Sequence, residues 1–438
     1  MTISEIFQPL WQAAGFQAPT PIQEAVYAPL KNDENIVGLA PTGSGKTLAF
    51  GLPLLEKLVP GDGLQLLILA PSQELAVQTR DVLRPYAKVA GLTVQSVTGS
   101  ANVKRQLEQL KAKPEVIVGT AGRLLELVSS GRLKLSGLQT IVIDEADELL
   151  RDPGLDQVRE LAMAAPAEVQ LAFFSATASQ MINSIPQWFG QEVQVIDVRD
   201  IDHTQGAVQH LFIQTDNAHR ALWLRRLAHL DHFQALVFFN QNAVMESVAR
   251  TLRHQAVKFA MLSRNDRSIV RAQALTALRK GKITLLLVTD LAGRGLDIPK
   301  LPAVINYQAP SRKEAYIHRA GRTGRMGVPG TVITLGDDHD RRDLQRLLPH
   351  YDIQRGYLVD GKLSTDAPEN ETPVASVTPA KTETATPRLQ STHQLAQTAS
   401  EATEQTARPA QMPKPRTPHK KNRLRDRKNK GKHKPKSK

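Results

Sequence analysis

The chain of 438 residues contains no cysteine. Disulfides and thiolate metal sites are therefore excluded, and nothing points to an oxidising compartment. No apolar run approaches the length of a membrane span, and the opening Met1-Thr2-Ile3-Ser4-Glu5 lacks the basic and apolar regions of a secretory signal. The expectation is a soluble, cytoplasmic chain with no membrane partner. The body also lacks net charge: Lys414–Lys438 holds 13 Lys and Arg against the single acid Asp426, all but one unit of the net +13. Composition by itself therefore argues for a polyanion partner only at the tail.

With 41% hydrophobic residues and this length, the chain has material for about two domains and something extra. From about Asn35 to Val198, short apolar runs alternate with amphipathic segments: Leu66–Ala70, Thr93–Val97, Val116–Gly119, Ile141–Ile143, Leu171–Phe174 and Val193–Val198. A second series runs through His210–Gln214, Ala235–Phe239, Val257–Leu262, Leu285–Val288, Ala303–Asn306 and Thr331–Leu335. Strands alternating with helices predict α/β units, each a parallel sheet covered on both faces. The polar, aperiodic Arg199–Gly206 reads as the linker between them. The domains are thus expected at 1–200 and 207–360. The Thr-, Ala-, Pro- and Gln-rich segment 363–438 buries too little to offset its chain entropy and is expected to be disordered.

Ala40-Pro41-Thr42-Gly43-Ser44-Gly45-Lys46-Thr47 follows an apolar run and precedes a helical segment. This is Walker A spacing, with Ala40 where the simplest pattern has Gly. Gly43 and Gly45 let backbone N–H groups converge on phosphate oxygens, and the helix presents its positive end to the same anion. Lys46 would meet the β- and γ-phosphates and Thr47 a Mg²⁺ ion. An ordinary glycine-rich turn is the alternative for this stretch alone. Ile141-Val142-Ile143-Asp144-Glu145-Ala146-Asp147 is an apolar strand ending in acids, where α/β sheets place ligand sites. Asp144 would orient Mg²⁺ and Glu145 would deprotonate the attacking water. A solvated acidic helix start is the bland alternative.

With Asp144-Glu145-Ala146-Asp147, the chain resembles the DEAD-box ATP-dependent RNA helicases over about residues 6–340. The resemblance implies two tandem RecA-like domains followed by the disordered basic tail, with ATP and Mg²⁺ as cofactors. Gly15-Phe16-Gln17-Ala18-Pro19-Thr20-Pro21-Ile22-Gln23 is similar to the adenine-recognising Q motif, with Phe16 and Gln23 as nucleotide contacts and ATP preferred over GTP. Thr42, Gly43, Ser44, Gly45, Lys46 and Thr47 complete the phosphate side, and Asp297 is the candidate for the ribose. Asp147, Ser175, Thr177 and His318 would couple hydrolysis to domain movement. Arg322 and Arg325, in Tyr316-Ile317-His318-Arg319-Ala320-Gly321-Arg322-Thr323-Gly324-Arg325, resemble arginine fingers, here read as catalytic with Lys46, Asp144 and Glu145.

The implied RNA contacts are Pro71, Gln73, Gly99, Thr120, Gly122 and Arg123 in the first domain. In the second they are Asn240, Arg271, Thr289 and Arg294. They would hold phosphates and 2′-OH groups of single strands or short duplexes without reading bases. Gln73 stands where the family usually has Arg, Ser100 where it has Gly and Ala121 where it has Pro, which predicts an altered grip on RNA. The family's upstream adenine-packing aromatic has no counterpart, since Phe7 lies too close to Gly15. Phe7 is expected in the packing of the first helix, and ATP affinity is expected to be weaker than usual.

The resulting expectation is a monomeric, cleft-closing ATPase that unwinds or remodels structured RNA locally. The resemblance adds ribosomal particles and RNA-processing proteins as partners and ribosome biogenesis as a setting. The alternative is an ATP-gated RNA clamp or assembly scaffold with little unwinding. A DNA translocase is disfavoured by the Q motif and by Asp144–Asp147.

Overall fold

The computed structural model describes residues 3–368, apart from 100–102, 179, 205, 264, 265, 267, 294, 295, 297, 299, 300 and 326. The tail segment 369–438 and the candidates Arg294 and Asp297 therefore lie outside the described residues, as does Ser100.

Two seven-stranded sheets carry the described chain. The first comprises β1 (Ile36–Leu39), β2 (Leu66–Leu69), β3 (Val94–Val97), β4 (Val116–Gly119), β5 (Thr140–Asp144), β6 (Gln170–Ser175) and β7 (Gln194–Asp197). Its spatial order is β3-β4-β2-β5-β6-β1-β7, and every pairing is parallel. The second comprises β8 (Val208–Gln214), β9 (Ala235–Phe239), β10 (Phe259–Leu262), β11 (Leu285–Thr289), β12 (Ala303–Asn306), β13 (Gly330–Gly336) and β14 (Ile353–Arg355). Its order, β10-β11-β9-β12-β13-β8-β14, repeats the first strand for strand, again all parallel.

The strands are continuous apolar runs because both faces of each sheet are covered. In β2, Leu66 and Ile68 enter one core while Leu67 and Leu69 enter another. In β9, Leu236 and Phe238 face one core, and Ala235, Val237 and Phe239 face the other. Gly38 in β1 permits close packing, since a Cβ there would fall 2.7 Å from the Phe174 ring. At the margin, β7 is mostly exposed, as an edge strand can be.

Parallel strands all end on the same side of their sheet. The loops after β1, β2, β3, β4, β5 and β6 therefore line one edge of the first lobe, and those after β9, β11 and β12 line the corresponding edge of the second. That geometry gathers the candidate residues without any of them being near in sequence.

Two features differ from the sequence expectation. β14 extends the second sheet by pairing with β8. A hairpin of β15 (Tyr357–Val359) and β16 (Lys362–Ser364) follows, so ordered structure continues past residue 363. Leu363 explains the overlap: it pairs with Leu358 and packs against the second-lobe core.

Candidate functional site

The loop after β1 turns into the helix Lys46–Leu55 through two glycines in the left-handed region, Gly43 at φ +86° and Gly45 at φ +83°. Lys46 Nζ donates to Ala40 O and Pro41 O, each at 2.8 Å, so the lysine curls over its own loop. Ser44 is fully buried, and its Oγ has no partner among the described residues.

Two residues outside the loop brace it. Thr20 Oγ1 donates to Ser44 O at 2.8 Å, and Gln23 Nε2 donates to Gly45 O at 3.3 Å. Gln23 Oε1 accepts from Thr20 N at 2.9 Å, and the residue is 3% exposed. Both ends of the amide expected at adenine are thus engaged with protein. Gln23 sits in the first turn of the helix Pro21–Lys31, where a side-chain acceptor satisfies backbone N–H groups at the helix start. Phe16 is partly exposed, its ring 4.9 Å from that of Trp11. Phe7 is buried edge-on against Tyr86 at 5.7 Å, as packing of the first helix requires.

At the end of β5, Glu145 adopts a left-handed φ of +49°, a conformation that costs free energy in a non-glycine residue. Its N–H donates to Asp144 Oδ1 at 3.0 Å. Burial pushes Asp144 up to about 7, the neighbouring Glu145 charge adding to the rise against the pull of Lys46. Asp147 is also buried, and burial alone would raise it. The opposing contacts from His318, Thr177 and Ser175 prevail and hold it down at about 2. Thr177 Oγ1 donates to Asp147 Oδ2 at 2.6 Å, and Ser175 Oγ both donates to Thr177 O and accepts from Thr177 N. A strand end, a helix start and a short polar turn are thereby tied together.

The second lobe completes this cluster. His318, on the helix Lys313–Ala320, places Nε2 3.0 Å from Asp147 Oδ2. Burial lowers the imidazole pKa, and the Asp147 and Glu145 charges override it, leaving it raised. Arg322 Nη2 lies 3.9 Å from Glu145 Oε1, while its other nitrogens donate to Leu296 O and His318 O. Arg325 Nε donates to Gly321 O at 2.8 Å, and its Cγ lies 3.7 Å from where Gly43 would carry a Cβ. Lys46, Asp144, Glu145, Asp147 and Thr177 of one lobe thus converge with His318, Arg322 and Arg325 of the other.

The RNA candidates fall into two groups. Pro71, Gln73, Gly99, Thr120, Gly122 and Arg123 follow β2, β3 and β4, which are neighbours in the sheet, so they share one stretch of its edge. Within it Arg123 is 8% exposed and pairs with Glu126 at 2.6 Å. In the second lobe Thr289 ends β11, and Asn240 follows β9. The Asn240 side chain accepts from Arg319 and donates to Ala309 O. Arg271 is 4% exposed, donates to Ala292 O at 2.7 Å and sits 2.9 Å from Glu74 Oε1. It therefore joins the two lobes instead of standing open at a surface.

Three contributors were missed from sequence. Thr20 braces the phosphate loop, Glu74 receives Arg271, and Arg319 forms a buried centre with Asp290, Asn306 and Asn240. The even step from Arg319 to Arg322 and Arg325 was the available signal for the last. Thr20 lies within the stretch similar to the Q motif, and nothing local marked Glu74.

Residues 20–185 match the family model described as DEAD/DEAH box helicase, and residues 219–327 match that described as helicase conserved C-terminal domain. The chain is 35% identical over 358 residues to the probable ATP-dependent RNA helicase YfmL of Bacillus subtilis, covering 81% of this chain and 95% of that one. It is 34% identical over 338 residues to the DEAD-box ATP-dependent RNA helicase CshC of Bacillus cereus, covering 77% and 87%. Among solved structures, S. cerevisiae Dbp5 bound to RNA and ADP BeF3 matches with a TM-score of 0.73 and 28% identity over 81% of this chain and 93% of that one. Mss116p bound to ssRNA and AMP-PNP matches at 0.70 and 19% identity over 80% and 77%, a likeness of fold.

Proposed function

The chain belongs to the DEAD-box family of ATP-dependent RNA helicases, enzymes that hydrolyse ATP to remodel RNA, and from that premise we propose how its own residues divide the work. Lys46 and the loop N–H groups bind the triphosphate, and Glu145 positions and deprotonates the attacking water. Arg322 and Arg325 stabilise charge developing on the γ-phosphate. His318, Asp147, Ser175 and Thr177 report the state of the site between lobes.

Mg²⁺ fits the donor set, since Asp144 is a buried carboxylate whose charge a divalent cation stabilises and Thr47 supplies a hydroxyl in the first turn of the helix. Held by Asp144 and Thr47, it would neutralise charge on the triphosphate.

Single-stranded RNA lies along the ends of β2, β3 and β4 and across to Thr289, held through its backbone and not read by base. Dbp5, solved with RNA and ADP BeF3, supports RNA as the ligand. ATP and RNA favour the same closed arrangement, so each aids the other's binding. A cytoplasmic monomer acting on structured RNA such as ribosomal RNA, with lobes at 1–200 and 207–360, completes the proposal.

The observation that carries it is the convergence of Lys46 and Glu145 from one lobe with Arg322 and Arg325 from the other. Its test is ATP turnover with and without RNA, in the wild type and in Glu145→Gln. RNA stimulation and near-total loss in the variant are expected. Equal turnover in both proteins would refute the assignment.

A further inference from the structure

The two sheets repeat each other strand for strand, but the ends at which their strands begin differ in charge. The loops entering β10, β11 and β9, neighbours in the second sheet, lie at the opposite end of the strands from Asn240 and Thr289. β9 has five residues and so sets about 17 Å between the two ends. Backbone hydrogen bonds fasten the three entries side by side: Thr284 N donates to Lys258 O at 2.8 Å, and Ala235 N donates to Thr284 O at 3.0 Å. Gln234 Nε2 joins them to the end of the helix Ser268–Arg279, donating to Leu278 O at 2.6 Å.

From the last helical turn to the strand, the second-sheet segments 225–234, 251–258 and 276–284 hold seven Lys and Arg against the single acid Asp231. The corresponding first-sheet segments 52–65, 86–93 and 107–115 hold four Lys against four acids. The chain before Lys414 carries almost no net charge, so this is a local concentration. Arg225, Arg226, Arg253, Lys258, Lys280 and Lys282 are all exposed. The Arg226 guanidinium lies 5.3 Å over the Trp223 ring and that of Arg253 5.9 Å over Phe259, aromatic supports that do not neutralise them. Cations at a helix C-terminus complement its dipole, which accounts for Arg225, Arg226 and Arg253. It does not account for Lys258, Lys280 and Lys282, which lie past the helix ends.

We propose that this end of the second lobe is a second RNA surface, which holds the phosphate backbone of RNA continuing beyond the strand bound at the cleft. The inference rests on the RNA-helicase reading above. With neighbouring strands about 4.8 Å apart, cations on three fastened loops meet several phosphates at once and release their counterions. Contacts of this kind position RNA without reading bases. A protein or lipid partner would call for an apolar centre, and among the described residues none of the exposed large apolar side chains falls in these segments.

In the full chain, Lys258→Gln/Lys280→Gln/Lys282→Gln removes three of these charges and leaves the basic tail in place, so the tail's contribution is common to every protein compared. The probes are a short oligouridine and the same oligouridine joined to a hairpin, each bound in the presence of AMP-PNP and read by fluorescence anisotropy. The variant should bind the hairpin RNA about tenfold more weakly than the wild type, with the slope of log affinity against log salt reduced by about 2, and oligouridine within about twofold. Lys88→Gln/Lys111→Gln/Lys113→Gln, the same charge loss at the corresponding end of the first sheet, should match the wild type on both RNAs. Unchanged affinity for the hairpin RNA in the second-lobe variant would overturn the inference, whether or not its binding to phosphatidylserine vesicles falls. An equal loss on oligouridine, or in the first-sheet variant, would overturn it too. Failure of the wild type to bind oligouridine would instead sink the reading of the cleft, and the hairpin affinities would still decide the role of the second surface.

Discussion

His318 of the second lobe sets its Nε2 3.0 Å from Oδ2 of Asp147 in the first, so a buried acid of one lobe takes its counter-charge from the other. The pair should make closure depend on pH. Asp147 is held down at about 2, so its contribution is complete above the ordinary carboxylate range and is lost only as pH falls through that value. His318 is raised above its ordinary 6.5, so its contribution is complete below 6.5 and is lost as pH rises through the raised value. Closure should therefore weaken on the alkaline side. Fluorescence transfer between labels on the two lobes, with ATP and RNA present, checks this, and His318→Gln should remove that alkaline dependence. Turnover is a poorer readout because it reports the chemical step as well as closure.

Gly321 presses directly on the phosphate loop. A Cβ there would fall 1.9 Å from Thr42 Oγ1 and 2.6 Å from Thr42 Cβ. Its φ of −65° suits any residue, so Gly321→Ala acts through contact alone. The variant should keep wild-type thermal stability and lose most RNA-stimulated turnover. Adding Thr42→Gly should restore closure in part. Full activity in Gly321→Ala would show that the lobes do not need this approach.

Much of the scaffold was legible because its signals are local. Ile141–Ile143 reads as a strand from its apolar run and proves to be the centre of β5, while the glycines before Lys46 mark the turn that their positive φ values require. What escaped depends on partners distant in sequence. The resemblance implies Gln23 as an adenine contact but does not reveal that Gly45 O takes its amide. Arg271 reads as an RNA contact until Glu74, on another lobe, is seen beside it. The pairing of β14 with β8 is likewise a long-range event, and three residues carry too little periodicity to announce it.

Arg325 and Arg322 should differ in what their loss does. Arg325 lies beside Gly43, so Arg325→Ala should leave ATP affinity within a few-fold of the wild type and lower kcat by about 10³ or more, the range of fingers in related phosphoryl transfers. Arg322 additionally holds Leu296 O and His318 O, so Arg322→Ala should also loosen its own loop and weaken closure. Single-turnover kinetics alongside nucleotide binding distinguish the two. Unimpaired chemistry in Arg325→Ala would remove it from the catalytic set.

The tail's part in RNA binding rests on charge density, since Lys414–Lys438 carries 13 basic residues and one acid. Each phosphate it neutralises releases condensed counterions, so the affinity of the full chain for single-stranded RNA should fall with log salt by about 0.7 per contact. Deleting Lys414–Lys438 should weaken binding at low salt and flatten that slope, while turnover at saturating RNA stays close to the wild type. Replacing the same Lys and Arg with Gln tests charge without changing length and should give the same result. If the slope is unchanged in both variants, the tail does not tether RNA, and the salt dependence belongs to the lobes.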